Sequence, residues 1–201
     1  MAADWSFLDG PAWEAAPRLL GCRLVRILED GRRLAGTIVE TEAYDQADAA
    51  SHSYRGRTPR TEVMFGPAGH LYVYFTYGMH YCCNVVTGGV GYGSAVLIRA
   101  IEPVEGEPVM LENRRGRGGL ELTNGPAKVC QALAVDKSSN GVNLLDGGAT
   151  VQLQLAPAVQ QSYIVQTTRI GISQAKDVPW RFYLKDNQYV SKPAAQPSGR
   201  R

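Results

Sequence analysis

The sequence predicts an α+β fold, a single domain built on a curved, mainly antiparallel β-sheet flanked by short helices. Three observations point there. Segments rich in β-branched and aromatic residues outnumber helical patterns, and short turn signals join them, which favours hairpins over βαβ crossovers. A chain of 201 residues, 44% apolar, can bury one sizeable core. No repeat or linker divides it, so residues 1–190 read as one domain and 191–201, "SKPAAQPSGRR", as a disordered tail.

In chain order, "GPAWEAAPRLLGC" predicts a short helix after Pro11, interrupted or bent by Pro17 and stopped by Gly21. "CRLVRI" and "RLAGTIVETEAY" read as strands joined by the hairpin signal "EDGR", and "DQADAASHSYRGRTPR" as a loop with a helical turn. "GHLYVYFTYGMHYCCNVV", Gly69 to Val86, reads as a hairpin with Tyr77 beside its glycine turn. An aromatic there either packs on a neighbour or is held out to touch something flat. "SAVLIRAIEP" is a strand ended by Pro103, and "EPVMLENR" a short helix. "LTNGPAKVCQALAV" is a helix capped by Thr123 or Asn124, with Pro126 in its first turn. "ATVQLQL", "SYIVQTTRIGI" and "WRFYL" complete the strands.

Composition excludes more than it selects. The 21 basic and 19 acidic residues leave a net charge of +2, too even to establish a nucleic-acid partner. For the short basic runs "RGRTPR", "NRRGRG" and "GRR", charge alone favours solvated loops. Cys22, Cys82, Cys83 and Cys130 show no CxxC pairing and no histidine at zinc spacing, so reduced thiols are expected, with Cys82 and Cys83 on opposite strand faces. The N-terminus lacks the pattern of a secretory signal, and no stretch approaches the roughly 18–20 apolar residues of a membrane span.

The acidic stretch "IVETEAYDQADAASH" places Glu40, Glu42 and Tyr44 on one strand face. Three readings fit: a solvent-facing edge, a magnesium site made by Glu40, Glu42, Asp45 and Asp48, or a general base that activates water. Arg99 sits inside the otherwise apolar "AVLIRAIEP" and needs a partner if buried. One arginine against Glu42 suits a held water better than a metal cage, and a structural salt bridge fits equally.

Taken together, "VETEAY", "ASHSYRGRTPR", "VMFGPAGHLYVYFTYGMHYCCNVV", "AVLIRAIEP", "LTNGPAKVCQAL" and "RIGI…PWRFYL" resemble the alkyladenine (3-methyladenine) DNA glycosylase family, in order and spacing from about Leu19 to Leu184. The resemblance implies a fold similar to the C-terminal domain of some formyltransferases. It also implies a monomeric base-excision-repair enzyme without metal or cofactor, acting on double-stranded DNA that contains damaged purines. Its substrates would be 3-methyladenine, 7-methylguanine, hypoxanthine and ethenoadenine, and its product an intact abasic site. The location would be the bacterial cytoplasm at the nucleoid, or the eukaryotic nucleus, with no membrane association. By the same resemblance, Glu42 is the catalytic base and Arg99 holds its water. Tyr44, His52 and Tyr74 stack on a flipped base and Asn84 disfavours normal guanine; Leu97, two residues before Arg99 on the same strand face, would help wall the site. Tyr77 intercalates, while Arg55, Arg57, Arg60 and Lys128 meet the DNA backbone. A metal-dependent nuclease using the acidic cluster and a non-catalytic damage-binding protein are the alternatives.

Overall fold

Period-two alternation sorts the strand residues onto two faces that do different things. The computed structural model describes residues 3–76 and 78–193. Its strands are β1 (Arg23–Ile27), β2 (Arg33–Tyr44), β3 (Leu71–Thr76), β4 (His80–Val86), β5 (Ala95–Glu105), β6 (Val151–Gln154), β7 (Ile164–Thr167) and β8 (Arg181–Leu184). They form one antiparallel sheet in the order β3-β4-β5-β2-β1-β6, with β8 also paired to β2 and β7 to β8. β2 is the organising strand. One edge follows β5 along most of its length. The other pairs first with β1, then with β8 at Glu40–Glu42. Register shifts on either side of Glu40 bend β2 where β8 takes over from β1, and the sheet curls into a half-barrel.

Three short helices, α1 (Ala12–Leu19), α2 (Glu107–Asn113) and α3 (Pro126–Ala132), accompany the sheet. Val73, Cys83, Val85, Val96 and Ile98 share a buried cluster with Ala15, Ala16 and Leu19 of α1 and Val129 of α3. Each such large apolar side chain contributes about 1.5–3 kcal/mol by leaving water. Thr41 points the same way and donates to the Ala16 carbonyl at 3.0 Å. The intervening residues, among them Glu40, Glu42, Tyr72, Tyr74, Asn84, Leu97 and Arg99, belong to the opposite face, which therefore carries the chemistry.

Several expectations change. β5 does not end at Pro103 but continues to Glu105; Pro103 lies opposite Gly36 beside a register shift, where its missing N–H disrupts little. α1 runs through Pro17 to Leu19. The cap of α3 is Gly125, in extended backbone as Pro126 demands of the residue before it, not Thr123 or Asn124. Thr123 instead donates to the Ile101 carbonyl at 2.5 Å. The expected tail begins tied down: Ser191 donates from N and Oγ to Glu40, at 2.7 and 2.9 Å. Residues 194–201 lie outside the described residues, and so does Tyr77.

Candidate active site

β2 and β5 assemble the centre of the site. Glu42 lies opposite Leu97 and Glu40 opposite Ala100, so Arg99 projects between the two carboxylates. Its Nε donates to Glu40 Oε1 and its Nη1 to Glu42 Oε2, both at 3.1 Å. Glu40 and Glu42 are both fully buried, which removes the reading of a solvent-facing edge. Glu40 also accepts from Arg181 Nε at 2.7 Å and from Ser191. Glu42 accepts from Tyr44 OH at 2.8 Å on Oε2 and from the Ile170 N–H at 2.7 Å on Oε1. A carboxylate offers about four acceptor sites, and these donors leave Glu42 one to spare. Burial works against the Arg99 charge, but Glu42 and then Glu40 outweigh it and hold its pKa above the ordinary value. Burial, then the Glu42 charge and hydrogen bond, raises Tyr44 far above the usual phenol range, so Tyr44 stays a donor.

A cavity of about 500 Å³ opens beside this pair. Tyr44, His52, Tyr74, Asn84, Leu97 and Arg99 all line it, so every expected pocket residue meets in one place, with Glu42 directly behind Tyr44 and Arg99. The segment 170–174 adds a further stretch of wall. His52 stands edge-on to Tyr74, ring centres 4.5 Å apart at 87°, and its Nδ1 pairs with Tyr72 OH at 3.1 Å. The Tyr72 ring is inclined at 29° to that of Tyr74, centres 5.7 Å apart. Burial, with help from the Arg60 charge, pushes the His52 imidazole down to about 4, so it is neutral at physiological pH. Burial raises Tyr72 to about 12 and Tyr74 further still. Asn84 Nδ2 donates to the Tyr72 carbonyl at 3.1 Å, which fixes the amide plane at the cavity floor.

The loop that carries His52 is pinned from behind. Ser53 Oγ donates to the Gly93 carbonyl at 2.7 Å. A Cβ at Gly93 would stand 2.6 Å from that of Ser53 and 2.7 Å from the Phe65 ring, so only glycine lets the two loops close up.

The acidic residues of the nuclease alternative do not converge. Asp45 accepts from Tyr92 OH at 2.7 Å, and Asp48 is paired with Arg169. Among the described residues no group of three or more His, Cys, Asp and Glu side chains is placed to hold a metal ion. Of the expected backbone-contacting residues, Arg55 is exposed and Arg60 approaches the Tyr74 ring at 5.7 Å, at the cavity. Arg57 lies 3.5 Å from Glu62. Lys128 is held by Glu121 at 2.6 Å and Asn124 at 2.7 Å.

Sequence reasoning missed Arg181, Arg169 and the 170–174 wall. Arg181 lies within the apolar "WRFYL", the same signal that singled out Arg99. Arg169 is buried, pairs with Asp48, donates to the Ala43 carbonyl at 2.9 Å and lies 4.8 Å from the centre of the Tyr44 ring, backing that wall. "SYIVQTTRIGI" reads as one strand, but β7 stops at Thr167 and the rest turns into the site.

Comparison with known proteins agrees with this geometry. The family model for methylpurine-DNA glycosylase matches residues 6–188. A protein of Carboxydothermus hydrogenoformans named "Putative 3-methyladenine DNA glycosylase" is 56% identical over 177 residues, 88% of this chain and 92% of its own. Proteins of the same name from Francisella tularensis and Methanoculleus marisnigri are 52% and 50% identical, over 89% and 96% of this chain and 93% and 100% of theirs. With most of its length matched and its polar face folded around one aromatic cavity, the chain belongs to the methylpurine-DNA glycosylase family, hydrolases of N-glycosyl bonds.

Proposed function

We propose that this protein removes alkylated or deaminated purines from double-stranded DNA as a monofunctional glycosylase. The observation that carries the reading is the Glu42–Arg99 pair at the wall of the aromatic cavity. A purine swung out of the helix stacks against Tyr44, His52 and Tyr74, with Leu97 beneath it and the Asn84 amide facing its edge. Tyrosine faces attract a purine cation such as 3-methyladenine or 7-methylguanine by about 0.5–2 kcal/mol; hypoxanthine and ethenoadenine gain stacking alone. Tyr77, outside the described residues, fills the gap in the helix. Support for that comes from its neighbours, Gly78 at φ +68 and the well-exposed Met79, which turn the hairpin tip outward.

Glu42 takes a proton from a water that Arg99 helps to hold. The water oxygen bonds to C1′ as the bond to the purine nitrogen breaks, and the purine leaves with that electron pair. The carboxylate also steadies the cationic sugar that develops. A cationic purine departs neutral; a neutral one needs a proton at a ring nitrogen. No lysine lines the cavity among the described residues, which supports water as the nucleophile and an uncut abasic site as the product.

The test is to incubate the protein, with excess chelator, with duplexes carrying hypoxanthine, ethenoadenine or methylated purines, scoring free base and strand cleavage separately. Base release with intact abasic strands is expected. Strand cleavage that chelator abolishes, or lesion binding with no base released, would overturn the reading.

A further inference from the structure

A second cavity, about 700 Å³, lies on the other side of the β3–β4 hairpin. Along β4, Cys82 and Asn84 line the first, while Tyr81 and, at the tip end of the strand, His80 line the second. The start of α3 divides them in the same way, Pro126 toward the first and Ala127 toward the second. The hairpin thus stands as a partition between an aromatic pocket and a groove walled by Arg114, Arg115 and Arg117.

These arginines differ from Arg57 and Lys128. Arg57 and Lys128 already face acidic partners. Arg115 and Arg117 are exposed and form no ion pair among the described residues. Arg114 is buried and braces the loop, donating to Gln131 Oε1 at 2.5 Å and to the Glu121 carbonyl at 3.0 Å. Its Nε is buried with no partner among the described residues. Asp136, the one acid lining the groove among the described residues, has Oδ1 taken by Ser138 N and Oγ, at 2.8 and 2.6 Å. Like charges gathered beside one groove repel one another unless an anion settles between them. Met79, 71% exposed, rims the groove at the hairpin tip.

A duplex straddling the partition offers a nucleotide to the pocket on one side and a sugar-phosphate chain to the groove on the other. We propose that this groove holds the phosphate backbone of the DNA strand lying across the hairpin from the cavity, with Arg115 and Arg117 contacting its phosphates. The assignment rests on the glycosylase reading.

The experiment measures binding of an undamaged duplex and the matching single strand over a salt series, for the unaltered protein, Arg115→Gln/Arg117→Gln and Arg115→Lys/Arg117→Lys. The glutamine variant is expected to lose about tenfold in duplex affinity and about 2 from the slope of log K against log salt. Single-strand binding should fall less, and the lysine variant should retain the slope. An unchanged duplex slope, or an equal loss on the single strand, would overturn the groove assignment. A failure of the glycosylase reading shows separately, as no base released by the unaltered protein.

Discussion

Arg99 donates from Nη1 to Glu42 Oε2 at 3.1 Å while the Nε of the same guanidinium is held at 3.1 Å by Glu40. Arg99 therefore does not merely neutralise Glu42. It is clamped at one end by a second buried carboxylate and presents its other end to the cavity. The first prediction follows from that division of labour. Glu42→Gln keeps the shape of the side chain and removes the base. DNA binding should persist, and single-turnover excision should fall by about 10²–10⁴. Excision at the unaltered rate would remove Glu42 from the chemistry.

Glu40 carries a second prediction, about stability. It is the common acceptor for Arg99, Arg181 and Ser191, and none of its surface meets solvent. Glu40→Ala leaves the buried Arg181 without its carboxylate and Arg99 with Glu42 alone, a change that typically costs about 3–5 kcal/mol. Urea denaturation should show a loss of that order. Glu40→Gln, which retains an oxygen acceptor, should lose less. Both should slow excision, because Arg99 is no longer held in place. A Glu40→Ala protein as stable as the unaltered one would show that the ion pairs contribute nothing net.

Much of this site was legible because strand alternation is a strict rule. Glu40, Glu42 and Tyr44 share a face in the sequence and in the fold, even across the register shifts at Glu40. Arg181 was legible in principle, since an arginine within an apolar strand needs a buried partner wherever it occurs. The 170–174 wall was not, because no local pattern says that a strand stops at Thr167 so that an N–H at Ile170 can reach Glu42, 128 residues earlier. The caps of α3 misled for a related reason: Thr123 and Asn124 have the right chemistry for capping but are engaged by Ile101 and Lys128. Whether a basic residue is free is also a tertiary matter. Nothing local distinguishes Lys128, paired with Glu121, from Arg115 and Arg117.

The third prediction concerns pH. Burial first, and Arg60 second, lower the His52 pKa from its usual 6.5 to about 4 in the folded protein. The unfolded chain therefore binds a proton at His52 more readily than the folded one. Stability from this residue is complete above about pH 6.5 and declines as pH falls through 6 and 5 toward 4. The ring is open to solvent along the cavity, which keeps the effect modest. His52→Gln should flatten the dependence of the urea midpoint on pH between about 7 and 4.5, with little change above 7. An identical pH dependence in the two proteins would show that His52 titrates normally.

Tyr44 separates two functions that the cavity combines. Its ring forms a wall, backed by Arg169 at 4.8 Å, while its hydroxyl donates to Glu42 Oε2 at 2.8 Å. Tyr44→Phe keeps the wall and deletes the donor. A hydrogen bond to a charged group is worth about 1.5–3 kcal/mol, and a buried carboxylate that loses one is less well fixed in direction. Lesion binding should stay within about twofold of the unaltered protein, whereas excision should slow by about tenfold or more. Tyr44→Ala removes the wall as well, and affinity should then fall along with the rate. If Tyr44→Phe weakened binding and left the rate intact, the hydroxyl would be touching the purine rather than steering Glu42.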